Sequence, residues 1–401
     1  MTKRKIISFF VLSILVAVIS SCALVRQRKF KNSLDKSTIS SATFPVSFKF
    51  TFDKWIFLKA KLNNSSVAQT FFLDTGSPCT YCFKTKDSAD LQSKKLLRFG
   101  GLSFDYGAST AEIANIKYNN LAYLVSDLAY CWEKYNSGYI GVNAMQNSIW
   151  EFNFQDTTIR VSDTLTDFQN LTGAYKVRFK PLSKQQTPVV KIAINNIDTI
   201  TALIDTGNDK FLQLNSKFDI KSIKQSCPDC IRTSYYNINQ MGEHVKRDSI
   251  IETNFIKANS IKIGNLELTD AVLNQTPIYK GKNLIGLGFL KNFIVTIDWK
   301  QFVIYLKPFA NKQSITKKTT YSFKCDKIYK VLKVTEIFRN DIAEKEGVKC
   351  GDEILKINGV AAQDIDQNII DSINSDISAD KEIAVQFKTK EVRFKRHDIF
   401  N

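Results

Sequence analysis

Residues 71–77 read FFLDTGS, and residues 202–208 follow the same plan as ALIDTGN. In both copies an apolar run stands directly before Asp-Thr-Gly, which predicts a buried strand that delivers an aspartate into a glycine turn. One such triplet is a weak signal, because acidic turns commonly end a strand. Two copies in matching surroundings predict two equivalent turns, with Asp74 and Asp205 at equivalent positions.

The repeat extends beyond the two triplets. A strand, an Asn-Asn turn and a returning strand are predicted before each aspartate, over residues 55–73 and 189–204. An apolar-apolar-Gly segment follows each aspartate, as Tyr139-Ile140-Gly141 and as Leu284-Ile285-Gly286. The chain therefore contains an internal repeat, with a short insertion in the second copy.

On these residues, the chain resembles the pepsin-type and retropepsin-type aspartic peptidases from about residue 44 to residue 310. The resemblance implies a mainly β, bilobal acid-protease fold, with lobes over residues 44–168 and 169–309, and it implies that Asp74 and Asp205 are the catalytic pair. Two carboxylates held together cannot easily both ionise, so they share one proton, and one serves as base while the other stays an acid. This chemistry implies polypeptide substrates and needs neither metal nor cofactor. Because one chain supplies both aspartates, we expect a monomer rather than a homodimer with one aspartate per chain.

The resemblance also gives supporting roles to the residues around the aspartates. The threonine hydroxyls can bond between the two turns, the glycines of the triplets allow close backbone approach, and the apolar-Gly segments support the turns from beneath. Ser77 fits the family's usual hydroxyl beside the carboxylate, but the second copy has Asn208, whose amide can donate a hydrogen bond and shift the pair's proton affinity. The supporting residues are Thr75, Gly76, Ser77, Thr206, Gly207, Asn208, Ile140, Gly141, Ile285 and Gly286.

A flap is expected over such a cleft, to exclude water and hold an extended substrate. Tyr106 and Gly107 lie between the first triplet and its glycine partner, and a Tyr-Gly pair there resembles a pepsin-type flap tip. The alternative is an ordinary hairpin turn with a surface tyrosine.

The N-terminus has the pattern of an export signal. Three basic residues precede an apolar run over residues 6–19, which is short for a membrane span, and Ser20-Ser21-Cys22 follows. Small residues that end at a cysteine resemble a bacterial lipoprotein signal. We therefore expect cleavage after residue 21, a lipid on Cys22, a flexible tether over residues 22–43 and a location in the bacterial envelope, facing the periplasm or on the cell surface. An ordinary signal peptide or an uncleaved anchor is the alternative.

Charge and residue content argue against other classes of protein. The net charge is +17, but the lysines are scattered without a tract of basic and aromatic residues, so we expect no nucleic-acid partner. A solvated lysine-rich surface is the interpretation we favour, and anionic lipid is one surface that it could face. The two histidines stand far apart, and no HExxH or Gly-x-Ser-x-Gly pattern occurs, which disfavours zinc and serine hydrolases.

Cysteine spacing leaves two interpretations open. Besides Cys22, the eight cysteines include Cys79-x-x-Cys82 and Cys227-x-x-Cys230. In an exported chain we favour small local disulfides. A four-cysteine zinc site is the alternative.

The last eighty residues differ in character from the rest. Residues 310–320 are polar and predict a linker. Residues 340–359, which contain Gly351-Asp352 and Asn358-Gly359, resemble a bacterial PDZ domain, predicted over residues 321–401. PDZ domains add a peptide strand to a sheet edge, so the resemblance implies a peptide ligand that recruits substrate or regulates the enzyme.

Together these patterns predict a lipid-tethered aspartic endopeptidase with a C-terminal PDZ domain. The alternative function is a non-catalytic lipoprotein that holds peptides in a pseudo-peptidase cleft and in its PDZ domain. The two intact triplets favour the enzyme, while Asn208 keeps the alternative open.

Overall fold

The computed structural model describes residues 25–83, 91, 93–99, 102–126, 137–182, 186–195, 198–237, 250–277, 279–309, 318–328, 330–374 and 382–400. The predicted signal segment, Cys22, Cys131 and residues 310–317 of the predicted linker lie outside these ranges. Two compact units are present. The first contains the chain up to Val190 together with Leu203–Asp209 and Phe293–Pro308, and the second contains Lys191–Ala202, Lys210–Asn292 and the chain from Phe309 onward.

The first half of the repeat forms β-strands with alternating burial. Its strands are β1 (Thr38–Ser41), β2 (Val46–Lys49), β3 (Thr51–Asp53), β4 (Trp55–Leu62), β5 (Gln69–Leu73), β6 (Thr80–Phe83), β7 (Lys94–Phe99), β8 (Leu102–Ile113), β9 (Ile116–Ser126), β10 (Gly138–Ile140), β11 (Ile149–Asn153) and β12 (Thr158–Ser162). In β4, every second side chain from Ile56 to Leu62 is buried, as expected for a strand with one face on a core. Nine of these strands form one sheet, in the order β1-β9-β6-β10-β5-β4-β8-β7, with β3 paired to β4.

The second half repeats this arrangement. Its strands are β13 (Tyr175–Arg178), β14 (Lys180–Pro181), β15 (Pro188–Ile194), β16 (Asp198–Ile204), β17 (Leu212–Leu214), β18 (Ile231–Asn237), β19 (Ile250–Ile263), β20 (Leu266–Gln275), β21 (Asn283–Ile285), β22 (Phe293–Asp298) and β23 (Val303–Pro308). The order β15-β16-β21-β17-β20 matches β4-β5-β10-β6-β9 strand for strand. Short helices α2 (Lys221–Ser226) and α3 (Leu287–Leu290) follow β17 and β21. The predicted internal repeat is thus a repeat of strand topology, and the predicted mainly β fold is confirmed.

A six-stranded sheet joins the two halves within the first unit. Its order is β13-β23-β22-β11-β12-β2, with β11 and β22 antiparallel at the centre. Trp150 faces Ile297 across this pair, and both side chains are buried. This sheet forms a core to which both copies of the repeat contribute.

The N-terminal segment differs from the flexible tether that its composition predicts. Residues 25–31 form helix α1, and β1 pairs antiparallel with β9. Leu34 is buried against Cys79 and Ala122, and the amide groups of Gln146 and Asn147 donate to backbone carbonyls of residues 34 and 37. The described part of the predicted tether is therefore packed onto the first unit, because a polar composition does not prevent backbone pairing.

The C-terminal tail, residues 318–400, has its own small core. It contains β24 (Thr319–Thr320), β25 (Phe323–Ile328), β26 (Val331–Phe338), α4 (Ile342–Lys345), β27 (Ile354–Ile357), β28 (Val360–Ala361), α5 (Gln367–Asn374), β29 (Glu382–Phe387), β30 (Glu391–Lys395) and β31 (His397–Asp398). Asn358 and Gly359 have φ values of 49° and 80° and join β27 to β28, as an Asn-Gly hairpin turn requires. A cluster of buried aliphatic and aromatic side chains, centred on Phe323, Val385 and Phe394, fills the interior.

The tail is not a separate unit, in contrast to the expectation from the polar linker. β26 pairs antiparallel with β18, so β25 and β26 extend the sheet of the second repeat. Glu336 on β26 is buried, and its carboxylate accepts a hydrogen bond from the Ser234 hydroxyl (2.5 Å). The same carboxylate forms an ion pair with Lys324 (2.6 Å). Phe255 and Phe338 pack with ring centroids 5.2 Å apart. Backbone pairing of this kind carries little side-chain signal, so the sequence did not indicate it.

Among the described residues, no helix is long and apolar enough to cross a membrane.

Candidate active site

The two threonines of the triplets form a reciprocal set of hydrogen bonds. The Thr75 N–H donates to Thr206 Oγ1 and the Thr206 N–H donates to Thr75 Oγ1, each over 3.0 Å. The Thr75 hydroxyl then donates to the Ile204 carbonyl (2.8 Å), and the Thr206 hydroxyl donates to the Leu73 carbonyl (2.7 Å). Both threonines are buried, and all of these groups lie in the first unit. Each turn is thus fixed to the end of the strand that carries the other aspartate.

The glycines bring each turn against the opposite carboxyl group. A Cβ atom on Gly76 would lie 2.5 Å from the Asp205 carboxyl carbon, and one on Gly207 would lie 2.9 Å from the Asp74 carboxyl carbon. No side chain fits at such distances, so glycine is needed at both positions for steric reasons. The structure thereby brings Asp74 and Asp205 together, and their side chains hydrogen-bond each other.

Backbone amides hold the two carboxylates in the turns. Asp74 Oδ1 accepts from the N–H of Gly76 (2.8 Å) and the N–H of Ser77 (3.1 Å), and Asp205 Oδ1 accepts from the N–H of Gly207 (2.8 Å). Burial, followed by the charge of Asp205, raises the pKa of Asp74 well above its usual value near 3.8. Burial also raises the pKa of Asp205, although hydrogen bonds oppose the shift. The pair therefore retains one shared proton at pH values where an exposed aspartate has lost its own.

Ile140 and Gly141, the residues predicted to support the first turn, lie against it. Ile140 lies beside Leu73 in the parallel pair of β10 and β5, and its carbonyl accepts from the Asp74 N–H (2.9 Å). A Cβ atom on Gly141 would lie 2.3 Å from the Cys79 carbonyl oxygen, so glycine is required where these two segments meet. Within the second unit, Ile285 is buried and pairs with Leu212. Gly286 donates its N–H to the Phe211 carbonyl (3.3 Å) and starts α3.

The serine after the first triplet differs from the expectation. The Ser77 hydroxyl donates to the Cys79 carbonyl (2.9 Å) rather than to the carboxylate, which Ser77 contacts through its N–H instead. Asn208 is buried, and its N–H donates to the Asp205 carbonyl (3.2 Å). The turn geometry directs the amide of Ser77, not its hydroxyl, at the aspartate.

Two residues near the aspartates were missed as site residues. The Trp55 indole N–H donates to the Gly207 carbonyl (3.1 Å) and holds the second turn from the start of β4. Tyr139 stacks on Tyr81, with ring centroids 5.0 Å apart, and hydrogen-bonds the Ser77 side chain. Burial, with added charge from Cys79 and Asp74, raises the pKa of Tyr139 well above its usual value, so its hydroxyl stays a hydrogen-bond donor. Neither contact has a local motif, although aromatic residues flanking the repeat are visible in the sequence.

The predicted flap tip is wrong. Tyr106 and Gly107 lie inside β8, where Tyr106 faces Lys94 of β7 on one side and Leu124 of β9 on the other. The pairing of β7 with β8 runs to Phe99 and Leu102, well beyond Tyr106, and Gly100 and Gly101 lie outside the described residues. Tyr106 instead packs edge-on against Phe30 of α1, with centroids 5.7 Å apart. A single glycine within a long strand was mistaken for a turn, which a glycine pair indicates more strongly.

One of the two closely spaced cysteine pairs forms the favoured local disulfide, and the other does not. Cys227 and Cys230 form the predicted disulfide, with an S–S distance of 2.04 Å. Cys79 and Cys82 are free and buried, so the local disulfide expected there is absent. Burial raises the pKa of the Cys79 thiol to about 12. In the part of the chain that is described, no group of cysteine, histidine and acidic side chains could hold a metal ion.

Comparisons with known proteins find a likeness of fold among solved structures but none at the level of sequence families. No protein-family model matches the chain, and no curated protein matches it. Among solved structures, the aspartic proteinase from Irpex lacteus is similar, with 11% sequence identity and a TM-score of 0.43 over 68% of this chain and 99% of that chain. A likeness at this level does not by itself assign a function.

Proposed function

We propose that the chain is an aspartic endopeptidase whose catalytic groups are Asp74 and Asp205. The observation that carries the proposal is the reciprocal approach of each triplet glycine to the other triplet's carboxyl group. A structural acidic turn needs no such partner. Two carboxyl groups in hydrogen-bond contact, with raised pKa values, form an acid and a base that share one proton.

Hydrolysis would then need only the substrate and a water molecule. The ionised carboxylate accepts a proton from the water, whose oxygen attacks the carbonyl carbon of the scissile peptide bond. The protonated carboxyl donates its proton to the carbonyl oxygen, which yields a tetrahedral diol. Collapse of the diol breaks the C–N bond, moves a proton to the leaving nitrogen and restores the shared proton of the pair.

The test is cleavage of a mixed peptide library by the full chain and by the Asp74→Asn and Asp205→Asn variants. Both variants should lose cleavage, because the pair acts as one unit, and they should keep the fold, because amide and carboxyl groups are similar in shape. An inhibitor that mimics the tetrahedral diol should block the unmodified chain. Near-normal turnover in either variant would exclude the peptidase. Binding of peptides without any cleavage would favour the alternative function, a non-catalytic peptide-binding lipoprotein. Asn208 is the residue in the sequence that keeps this alternative open.

We further propose that the enzyme acts on exported or envelope polypeptides while anchored by a lipid on Cys22. Residues 25–31 are helical and Leu34 is packed onto the first unit, so a lipid on Cys22 would lie only a few residues along the chain from packed structure. Cys22→Ala should move the protein from the membrane fraction to the soluble fraction. Unchanged fractionation would contradict the lipid anchor.

The tail would bind a peptide in the PDZ manner at β25, the last strand of its sheet among the strands that the structure describes. Asn374 already contacts this edge: its side chain accepts from the Cys325 N–H (3.1 Å) and donates to the Cys325 carbonyl (2.7 Å). A peptide strand paired at Cys325 would replace both bonds. Asn374→Ala should therefore strengthen binding of a C-terminal peptide, and weaker binding would show that the edge is not the ligand site.

A further inference from the structure

The second unit contains an open cleft between the second repeat and the tail. Its volume is about 730 Å³, within the range of ligand sites. One wall comes from α2 and the start of β18, with Lys224, Ile231 and Arg232. The other wall comes from the end of β26, α4 and the end of the tail. The cleft is distinct from the β25 edge and from the two aspartates.

Basic side chains dominate the lining of this cleft. The lining contains one carboxylate, that of Asp341, and five basic side chains. The basic residues are Lys224, Arg232, Arg339, Lys345 and His397. That carboxylate is already engaged, because it accepts from the Ile342 N–H (2.7 Å) and contacts His397 Nε2 (2.9 Å). The lining therefore carries a clear excess of positive charge.

Three of the cations are available to a ligand. Lys224, Arg339 and Lys345 are exposed, and none forms an ion pair with another residue that the structure describes. Arg232 is held differently, since its guanidinium donates to the carbonyls of Ile399 (3.1 Å) and Ile231 (3.3 Å). The Arg339 backbone is also fixed, because its N–H donates to the Thr233 carbonyl (2.8 Å). The cations thus project from a fixed backbone.

Apolar surface lies among these cations. Phe338 and Ile399 are buried at the base, and Ile342 keeps 37% of its surface exposed. An inorganic anion would make no use of this surface. A peptide that alternates carboxylates with apolar side chains would pair with the cations and cover Ile342.

We propose that this cleft binds an acidic segment of a polypeptide, and that it thereby selects substrates that carry such a segment away from the scissile bond. Naming the segment as part of a substrate rests on the proposed peptidase function. The binding itself does not, because no residue of the cleft belongs to the catalytic pair.

The test uses the full chain with Asp205→Asn, which prevents cleavage, and fluorescence anisotropy of a labelled peptide in which Glu alternates with Leu. The cleft variant is Arg339→Glu with Lys345→Glu. The control is Lys282→Glu with Lys356→Glu, which changes the net charge equally at exposed positions of the same unit outside the cleft. The cleft variant should weaken binding by about tenfold or more, and the control by less than about threefold. The same peptide with Gln for Glu should bind weakly to all three proteins.

Equal losses in the cleft and control variants, or equal affinity for the Glu and Gln peptides, would overturn the proposal. Anionic vesicles are tested as competitors of the peptide. If they displace the peptide, and if their binding needs Arg339 and Lys345, the cleft binds a membrane surface instead and the proposal is overturned. Because the substituted side chains are exposed, folding should be retained, and matching urea midpoints would verify it. If the unmodified chain binds the peptide but cleaves no substrate, the peptidase proposal is refuted and the cleft proposal stands. If the unmodified chain cleaves substrate and the cleft variant binds the peptide with unaltered affinity, the cleft proposal is refuted and the peptidase proposal stands.

Discussion

Replacing Thr206 with valine removes one hydroxyl from the centre of the candidate site and keeps the branched shape of the side chain. The hydroxyl accepts from the Thr75 N–H (3.0 Å) and donates to the Leu73 carbonyl (2.7 Å). Thr206 and Thr75 are buried, so valine leaves one donor and one acceptor without a partner in a site that water does not readily reach. Each such group costs roughly 1–3 kcal/mol. The variant should therefore lose about 2–6 kcal/mol of the free energy of unfolding, a large share of the roughly 5–15 kcal/mol typical of a domain.

Urea unfolding followed by tryptophan fluorescence measures this loss, and Thr206→Ser is the matched control. Serine keeps the hydroxyl and both hydrogen bonds, so it should cost less than about 1.5 kcal/mol, the value for losing a buried methyl group. Thr75→Val should resemble Thr206→Val, because Thr75 makes the reciprocal pair of bonds. If valine at position 206 were as stable as serine, the reciprocal bonds would not hold the two turns together. The proposed role of the threonines would then be wrong.

Three further predictions concern the acidity of Asp74, the ion pair of Glu336 and the close approach at Gly76. Because the pKa of Asp74 is raised, the folded chain holds a proton that the unfolded chain releases above about pH 4. Stability and cleavage should therefore both fall as pH rises through the raised pKa. Urea midpoints measured at pH 5 and at pH 8 should differ less in Asp74→Asn than in the unmodified chain. Glu336→Gln removes the buried carboxylate that pairs with Lys324 and should cost roughly 3 kcal/mol, seen as faster hydrogen exchange in β18 and β26. Lys388→Gln removes an exposed ion pair and should have almost no effect. Gly76→Ala should abolish cleavage of a peptide substrate, because its methyl group would lie 2.5 Å from the opposite carboxyl carbon, and retained turnover would contradict the described approach of the two turns.

The candidate site could be predicted where its chemistry demands particular residue types. Asp-Thr-Gly combines an acid, a hydroxyl that satisfies buried backbone groups, and a residue without a side chain, and the structure uses all three in the same place. The apolar segment ending at Gly141 was predictable for a similar reason, since only glycine fits beside the Cys79 carbonyl. Local requirements of this kind leave a mark on single positions. The pairing of the two triplets then follows from the repeat.

Contacts set by chain geometry could not be predicted in this way. Cys79 and Cys82 have the spacing of a local disulfide, but Cys79 directly precedes β6 and Cys82 lies within it, where alternate side chains point to opposite faces. Cys227 and Cys230 have the same spacing and do form a bond, because a 3-10 turn over Pro228–Cys230 brings them together. The same four-residue pattern thus gives different chemistry in a strand and in a turn.

The placement of the tail shows the limit most clearly. β7 and β18 hold equivalent positions in the two repeats, each paired in a hairpin with the long strand that follows it. Among the described strands, β7 ends its sheet, whereas β18 is covered by β26 of the tail. An exposed strand edge is a template for any chain that can pair with it, and its hydrogen bonds use backbone groups that every sequence supplies. Within the described part of the chain, the edge of one repeat is therefore unpaired, while that of the other binds the tail. The binding of the tail at β18 depends on the buried contacts of Glu336, Ser234 and Phe338. No sequence motif predicts these contacts.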